Sequence, residues 1–134
     1  MQFNYHQPVL FKHCDPAGIV FYPRYFEMIN DAIEAFFDAI NYSFVTLHKT
    51  AAVPTAQIEV KFLAPSRHGD QLFFTISVAT LGTSSLVLAI TASANSEERL
   101  RCLSTLVHVD TDGKSTPWLA QTRAAITPYI RSTL

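Results

Sequence analysis

The spacing of apolar residues changes period twice along the chain. In residues 3–13, Phe3, Tyr5, Val9 and Phe11 alternate loosely with polar positions, which predicts a strand whose Pro8 marks an edge or a bulge. Asp15-Pro16-Ala17-Gly18 then supplies a turn signal. After Pro23 the period becomes helical. Phe26, Ile29, Ile33, Phe36, Phe37 and Ile40 recur at steps of three and four, while Glu27, Asp31, Glu34 and Asp38 share the opposite face. Pro23 suits the first position of this helix and Asn41 a left-handed stop. Residues 42–55 read as an irregular connection, after which period two returns. Ile58, Val60 and Phe62 alternate with polar residues in 57–63, and Leu72, Phe74, Ile76 and Val78 share one face of 71–80. The stretches 85–94 and 100–109 are apolar on both faces, which fits buried strands. Thr116-Pro117 predicts the start of a shorter C-terminal helix that Pro128 interrupts.

Strand, turn, long helix, four strands and short helix predict one α+β domain over residues 1–134. A mostly antiparallel sheet of about five strands carries the long helix on one face. Its open edges must be covered, and pairing with a second copy does so. With 49 % hydrophobic and 16 % charged residues, 134 residues can build one core and are not a disordered chain. So little charge on so small a chain also points to surface hidden by self-association. A net charge of −1 with no Lys/Arg cluster argues against nucleic acid as a partner. No apolar run is long enough for a transmembrane helix, and the first residues lack the pattern of a signal peptide, so a cytoplasmic location is expected.

The chemistry concentrates in His13-Cys14-Asp15-Pro16-Ala17-Gly18-Ile19-Val20-Phe21-Tyr22-Pro23-Arg24-Tyr25-Phe26. It sets an acid in a tight turn just before a helix N-terminus. There the amides of Tyr22, Arg24 and Tyr25 fall among donors with no intrahelical partner. Those donors and the helix dipole favour negative charge, so the site can hold Asp15 ionised or receive the oxygen of a polarised carbonyl. Taken alone, Asp-Pro in a turn is more often a simple Asx turn.

The stretch resembles the active-site signature of the 4-hydroxybenzoyl-CoA thioesterase family of hot-dog-fold proteins. The likeness continues through Phe62-Leu63-Ala64-Pro65 and Gly69-Asp70-Gln71-Leu72, covering about residues 5–110. It implies a hot-dog fold, a sheet wrapped around one central helix. It also implies hydrolysis of an acyl-CoA to a carboxylic acid and free CoA, without metal or redox cofactor. Asp15 falls on the family's catalytic carboxylate, and Tyr22 where a backbone N–H meets the thioester oxygen. The family's site lies between two subunits, so a homodimer pairing into a homotetramer is implied. His13, Gly18 and Asn30 are candidate substrate contacts. The hairpin 81–85 has no Lys or Arg, which leaves Lys61 or Arg67 as candidates for the CoA phosphates.

Asp15 can act as nucleophile or as general base, and the sequence leaves both open. A hydratase or dehydratase of the same fold, or a non-catalytic acyl-thioester binding protein, is the alternative reading. Cys14 and Cys102 are too few for a disulfide framework and read as packed small hydrophobes. The five histidines show no metal-ligand spacing with them. His13 reads more readily as a packed or surface residue than as a pocket one, and Asn30 as a partly buried neighbour of the apolar stripe. Glu27, Asp31, Glu34 and Asp38 form a solvated or interface face, and Asp110-Thr111-Asp112-Gly113 a turn rather than a calcium loop.

Overall fold

The computed structural model describes residues 1–132 and begins with an edge strand, β1 (Phe3–Pro8). Pro8 has no N–H, and the ladder to the neighbouring strand stops there, at Gln71. The predicted strand 3–13 is therefore shorter, and Phe11–His13 wind into a 3-10 turn. Next come α1 (Tyr22–Ala39), α2 (Phe44–Leu47), β2 (Ala51–Ala52), β3 (Thr55–Phe62), β4 (Gln71–Leu81), β5 (Ser85–Ala94) and β6 (Glu97–Val107). A two-residue β7 (Val109–Asp110) and α3 (Ala120–Ile126) complete the order, with Thr127–Tyr129 in a 3-10 turn around Pro128.

Five strands form one antiparallel sheet in the order β1-β4-β5-β6-β3, and β2 pairs with β7 apart from it. Period two fixes which face packs. Leu72, Phe74, Ile76 and Val78 of β4 and Leu86, Leu88, Ile90 and Ala92 of β5 are all buried beneath α1. Each of these side chains larger than alanine contributes about 1.5–3 kcal/mol relative to exposure. The helix answers with Tyr25, Met28, Ile29, Ala32, Ile33, Phe36 and Phe37. This stripe is rotated from the predicted one, so Phe26 is 37 % exposed and Asn30 lies outside the core. Glu27, Asp31, Glu34 and Asp38 are exposed, as their spacing predicts. Asn41 closes the helix at φ +61°, the expected left-handed stop.

Other boundaries moved for local reasons. Phe21 takes the N-cap position and Tyr22 the first turn, so Pro23 stands second rather than first. The connection 42–55 contains α2, capped by Ser43, and β2. The C-terminal helix starts at Ala120, not at Pro117, because Trp118 is tied down in extended chain. Its backbone N–H donates to Thr83 O at 3.1 Å and its Nε1 to Ser85 O at 3.1 Å. Trp118 stacks on buried His108, whose Nε2 lies 2.8 Å from the Tyr42 hydroxyl. Asp110 accepts the Asp112 and Lys114 amides on one oxygen in a plain turn.

Candidate active site

Residues 13–21 form a small hairpin that the period pattern does not reveal. Phe21 N–H donates to His13 O at 2.9 Å, Cys14 bridges Val20, and Asp15 N–H donates to Ile19 O at 3.0 Å. Asp15-Pro16-Ala17-Gly18 is its tip, closed by Gly18 N–H on Asp15 O at 2.9 Å. Gly18 sits at φ +84°, a conformation that side chains with a Cβ avoid. The second strand of the hairpin runs straight into α1. From Ile19, opposite Asp15, that strand rises two residues, about 7 Å, to Phe21 at the N-cap of α1.

Asp15 is half-buried, and its Oδ1 accepts the Ala17 N–H at 2.8 Å. This is the Asx turn of the plain reading, and it occupies only one carboxylate oxygen. Oδ2 has no hydrogen-bond partner among the described residues. At the helix entrance Arg24 N–H is satisfied by Phe21 O at 2.8 Å, whereas the Tyr22 N–H has no acceptor among the described residues. Hairpin tip and open helix end are thus built from one continuous segment.

Two hollows flank that segment. One, of about 500 Å³, is almost wholly apolar and is lined by Ile19, Val20, Tyr22, Tyr25, Phe62 and Leu63, among others. Tyr22, Tyr25 and Phe26 all have ring contacts with Phe62, at 5.5–6.3 Å between centroids. The other, of about 600 Å³, is the more polar of the two and includes Lys12, His13, Arg24, Glu27, Asn30 and Asp31 beside Phe26 and Met28. Asp15 is not among the residues lining either hollow.

His13 and Asn30 therefore come together in the polar hollow. His13 is buried, and its Nδ1 accepts the Leu10 N–H at 2.8 Å. Burial, helped by Lys12, pushes its pKa below the ordinary 6.5, with Glu27 pulling the other way. Asn30 is exposed rather than partly buried, because the buried stripe of α1 runs through Met28, Ile29 and Ala32. Arg67 sits beside the hairpin, bridged to Ile19. Lys61 does not. Phe62 turns toward the helix, so strand alternation turns Lys61 to the opposite face, beside Glu59, Thr91 and Arg101.

Neither cysteine is placed as a nucleophile. Burial pushes the Cys102 thiol up to about 11, and Cys14 Sγ is half-buried, 3.8 Å from Leu10 O. Among the described residues no three His, Cys, Asp or Glu side chains gather as a metal site, and no helix is long and apolar enough to cross a membrane. Sequence reading missed the support beneath the hairpin. Buried Arg99 reaches Ser66 and Asp70, and Val20 N–H donates to Ser66 O at 2.8 Å. The spacing gave no signal for it, because Arg99 stands among Glu97, Glu98 and Arg101 at the charged start of β6.

Solved structures share this arrangement of sheet and helix. A 1,4-dihydroxy-2-naphthoyl-CoA thioesterase from Synechocystis superposes with a TM-score of 0.88 at 20 % identity, over 95 % of this chain and 96 % of its own. A gentisyl-coenzyme A thioesterase gives 0.86 at 25 % identity, over 92 % and 99 %. A mutant 4-hydroxybenzoyl-CoA thioesterase in complex with 4-hydroxybenzoyl-CoA gives 0.85 at 18 %, over 93 % and 98 %. No curated protein sequence is significantly similar to this one. The family model of the thioesterase-like superfamily matches residues 9–126. With that match, and with the sheet and helix described above, the chain belongs to the thioesterase-like superfamily and has its hot-dog fold.

Proposed function

We propose that this protein is an acyl-CoA thioesterase, cleaving the carbon–sulfur bond of its substrate with water to give a carboxylic acid and free CoA. The observation that carries this reading is the hairpin 13–21, which sets a carboxylate with one unoccupied oxygen beside the open N-terminus of α1. The CoA thioesters named for the similar structures support it.

Thioester hydrolysis needs an activated oxygen and donors aimed at the developing oxyanion. The Tyr22 N–H and the positive end of α1 supply the donors, and losing one such donor typically costs about 100- to 1000-fold in rate. Oδ2 of Asp15 supplies the activation in one of two ways. It attacks the carbonyl carbon and expels the CoA thiolate, leaving an anhydride that water opens, or it takes a proton from the attacking water. The CoA of the substrate is the only carrier required.

The acyl group occupies the apolar hollow between Tyr22 and Phe62, and Arg67 lies on the side where a phosphate of the carrier is met. The working form is a dimer, further paired into a tetramer. Every residue of edge strand β3 except Val60 is exposed, including apolar Ile58 and Phe62, and a second copy covers that edge.

A panel of aromatic, short-chain and long-chain acyl-CoAs with thiol detection tests the reading. Thiol release from at least one member at about 10⁴ M⁻¹s⁻¹ or faster is expected. A change in double-bond absorbance without thiol release makes the protein a hydratase. Saturable binding with neither signal makes it a carrier.

A further inference from the structure

Among the described residues Arg99 is the only Arg, Lys, Asp or Glu that is buried, at 6 % exposed. A buried guanidinium is costly unless its donors are met, and here the three contacts of Nη1 fall on one short segment. Nη1 donates to Pro65 O at 3.0 Å, to Ser66 Oγ at 3.1 Å and to Asp70 Oδ2 at 2.8 Å. Nη2 donates to Ala94 O at 3.4 Å, and the Glu97 carboxylate pairs with Nε at 2.9 Å without hydrogen-bond geometry. The Arg99 carbonyl also accepts the Leu63 and Ala64 amides at 2.8 and 3.3 Å. Side chain and backbone of one residue thus clamp the crossover between β3 and β4.

The outer side of that crossover carries the Asp15 hairpin. Val20 N–H donates to Ser66 O at 2.8 Å, Ile19 bridges Arg67, and Ile19 O accepts the Asp15 N–H. Arg67 N–H donates at 2.9 Å to the same Asp70 oxygen that Arg99 uses. Tyr25, in the first turns of α1, faces Ser66; burial raises its pKa, and Ser66 opposes that by favouring the ionised form. Hairpin and helix entrance are therefore referenced to one point, the group Ser66–Asp70–Arg99. Planar Arg serves three acceptors on one nitrogen and its neighbours, which a lysine ammonium on a flexible stem does not reproduce.

We propose that Arg99, acting through Ser66 and Asp70, is a positioning residue that fixes the Asp15 hairpin against the N-terminus of α1 and so sets the spacing between the Asp15 carboxylate and the Tyr22 amide. This rests on the thioesterase reading for its catalytic consequence, but the mechanical link is separately measurable.

The test compares Arg99→Met and Arg99→Lys with wild type, at a temperature where each is folded, by amide hydrogen exchange and by steady-state kinetics. In Arg99→Met, exchange in residues 15–20 rises about tenfold or more while α3 is unchanged. Its kcat falls about 100-fold, the size expected for a misplacement of about 1 Å, and KM stays within about threefold. Arg99→Lys recovers part of the loss. If Arg99→Met does not fold, Asp70→Asn, which keeps the shape and removes the charge, carries the same two readouts. A folded variant with kcat within about twofold of wild type overturns the proposal, as does exchange that rises equally in α3. A merely stabilising arginine gives that result. If wild type releases no thiol, the thioesterase reading fails by itself, and the exchange at 15–20 alone decides the positioning role.

Discussion

Asp15 and His13 bracket one turn of chain and meet opposite conditions. Asp15 gives one oxygen to the Ala17 amide and leaves the other without a partner among the described residues, so the Asx turn is compatible with the proposed catalytic role. His13 is buried with Nδ1 engaged by the Leu10 N–H, which places its proton on Nε2 in the neutral form. Its folded pKa lies below 6.5, so as pH falls the unfolded chain takes up the proton first. The stabilisation is complete above the unfolded value of 6.5 and is lost as pH falls toward the folded value. Thermal stability is therefore expected to drop as pH falls below 6.5, and His13→Gln to flatten that drop. An unchanged slope in the variant removes His13 as the cause. Little of this was legible beforehand. The motif marked Asp15, but strand alternation gave no sign that His13 lies in a 3-10 turn and faces the polar hollow.

At the level of elements, hydrophobic spacing located α1 and the four later strands to within a few residues, because each buries one defined face. It failed where backbone chemistry decides. The hairpin 13–21 has only one bridge and two flanking hydrogen bonds, too short for any period. The start of α3 was misplaced because Trp118 hydrogen bonds override a favourable cap and proline. Asn30 and Phe26 were misjudged because rotation of a helix about its axis is set by the sheet beneath it. Gly18 tests the hairpin. A Cβ there meets only Arg67 Nη1, at 4.0 Å, so the cost of Gly18→Ala is conformational rather than steric. At φ +84° that cost is about 1 kcal/mol, with a parallel loss of turnover as the Asp15 tip shifts. Unchanged melting temperature and rate mean that the tip relaxes freely.

For the whole molecule, the unpaired edge of β3 and the apolar residues beside it are the features a lone chain explains least. Sparse charge leads to the expectation of hidden surface, and nothing in the spacing says which edge would form it. Ile58 is 39 % exposed on β3, so Ile58→Lys leaves the core intact and disfavours a second copy. Sedimentation is expected to give a multiple of 15.0 kDa for wild type and a smaller species for the variant. A wild-type monomer that hydrolyses thioesters contradicts the dimeric site. The central claim, an aspartate acting on a CoA thioester at the mouth of a helix, is tested most directly by thiol release from Asp15→Asn on the best substrate of the panel. Asparagine keeps the oxygen that accepts the Ala17 amide, so melting temperature and oligomer should match wild type while turnover falls by about 100- to 10,000-fold. Hydrolysis by the folded variant at near wild-type rate contradicts the account.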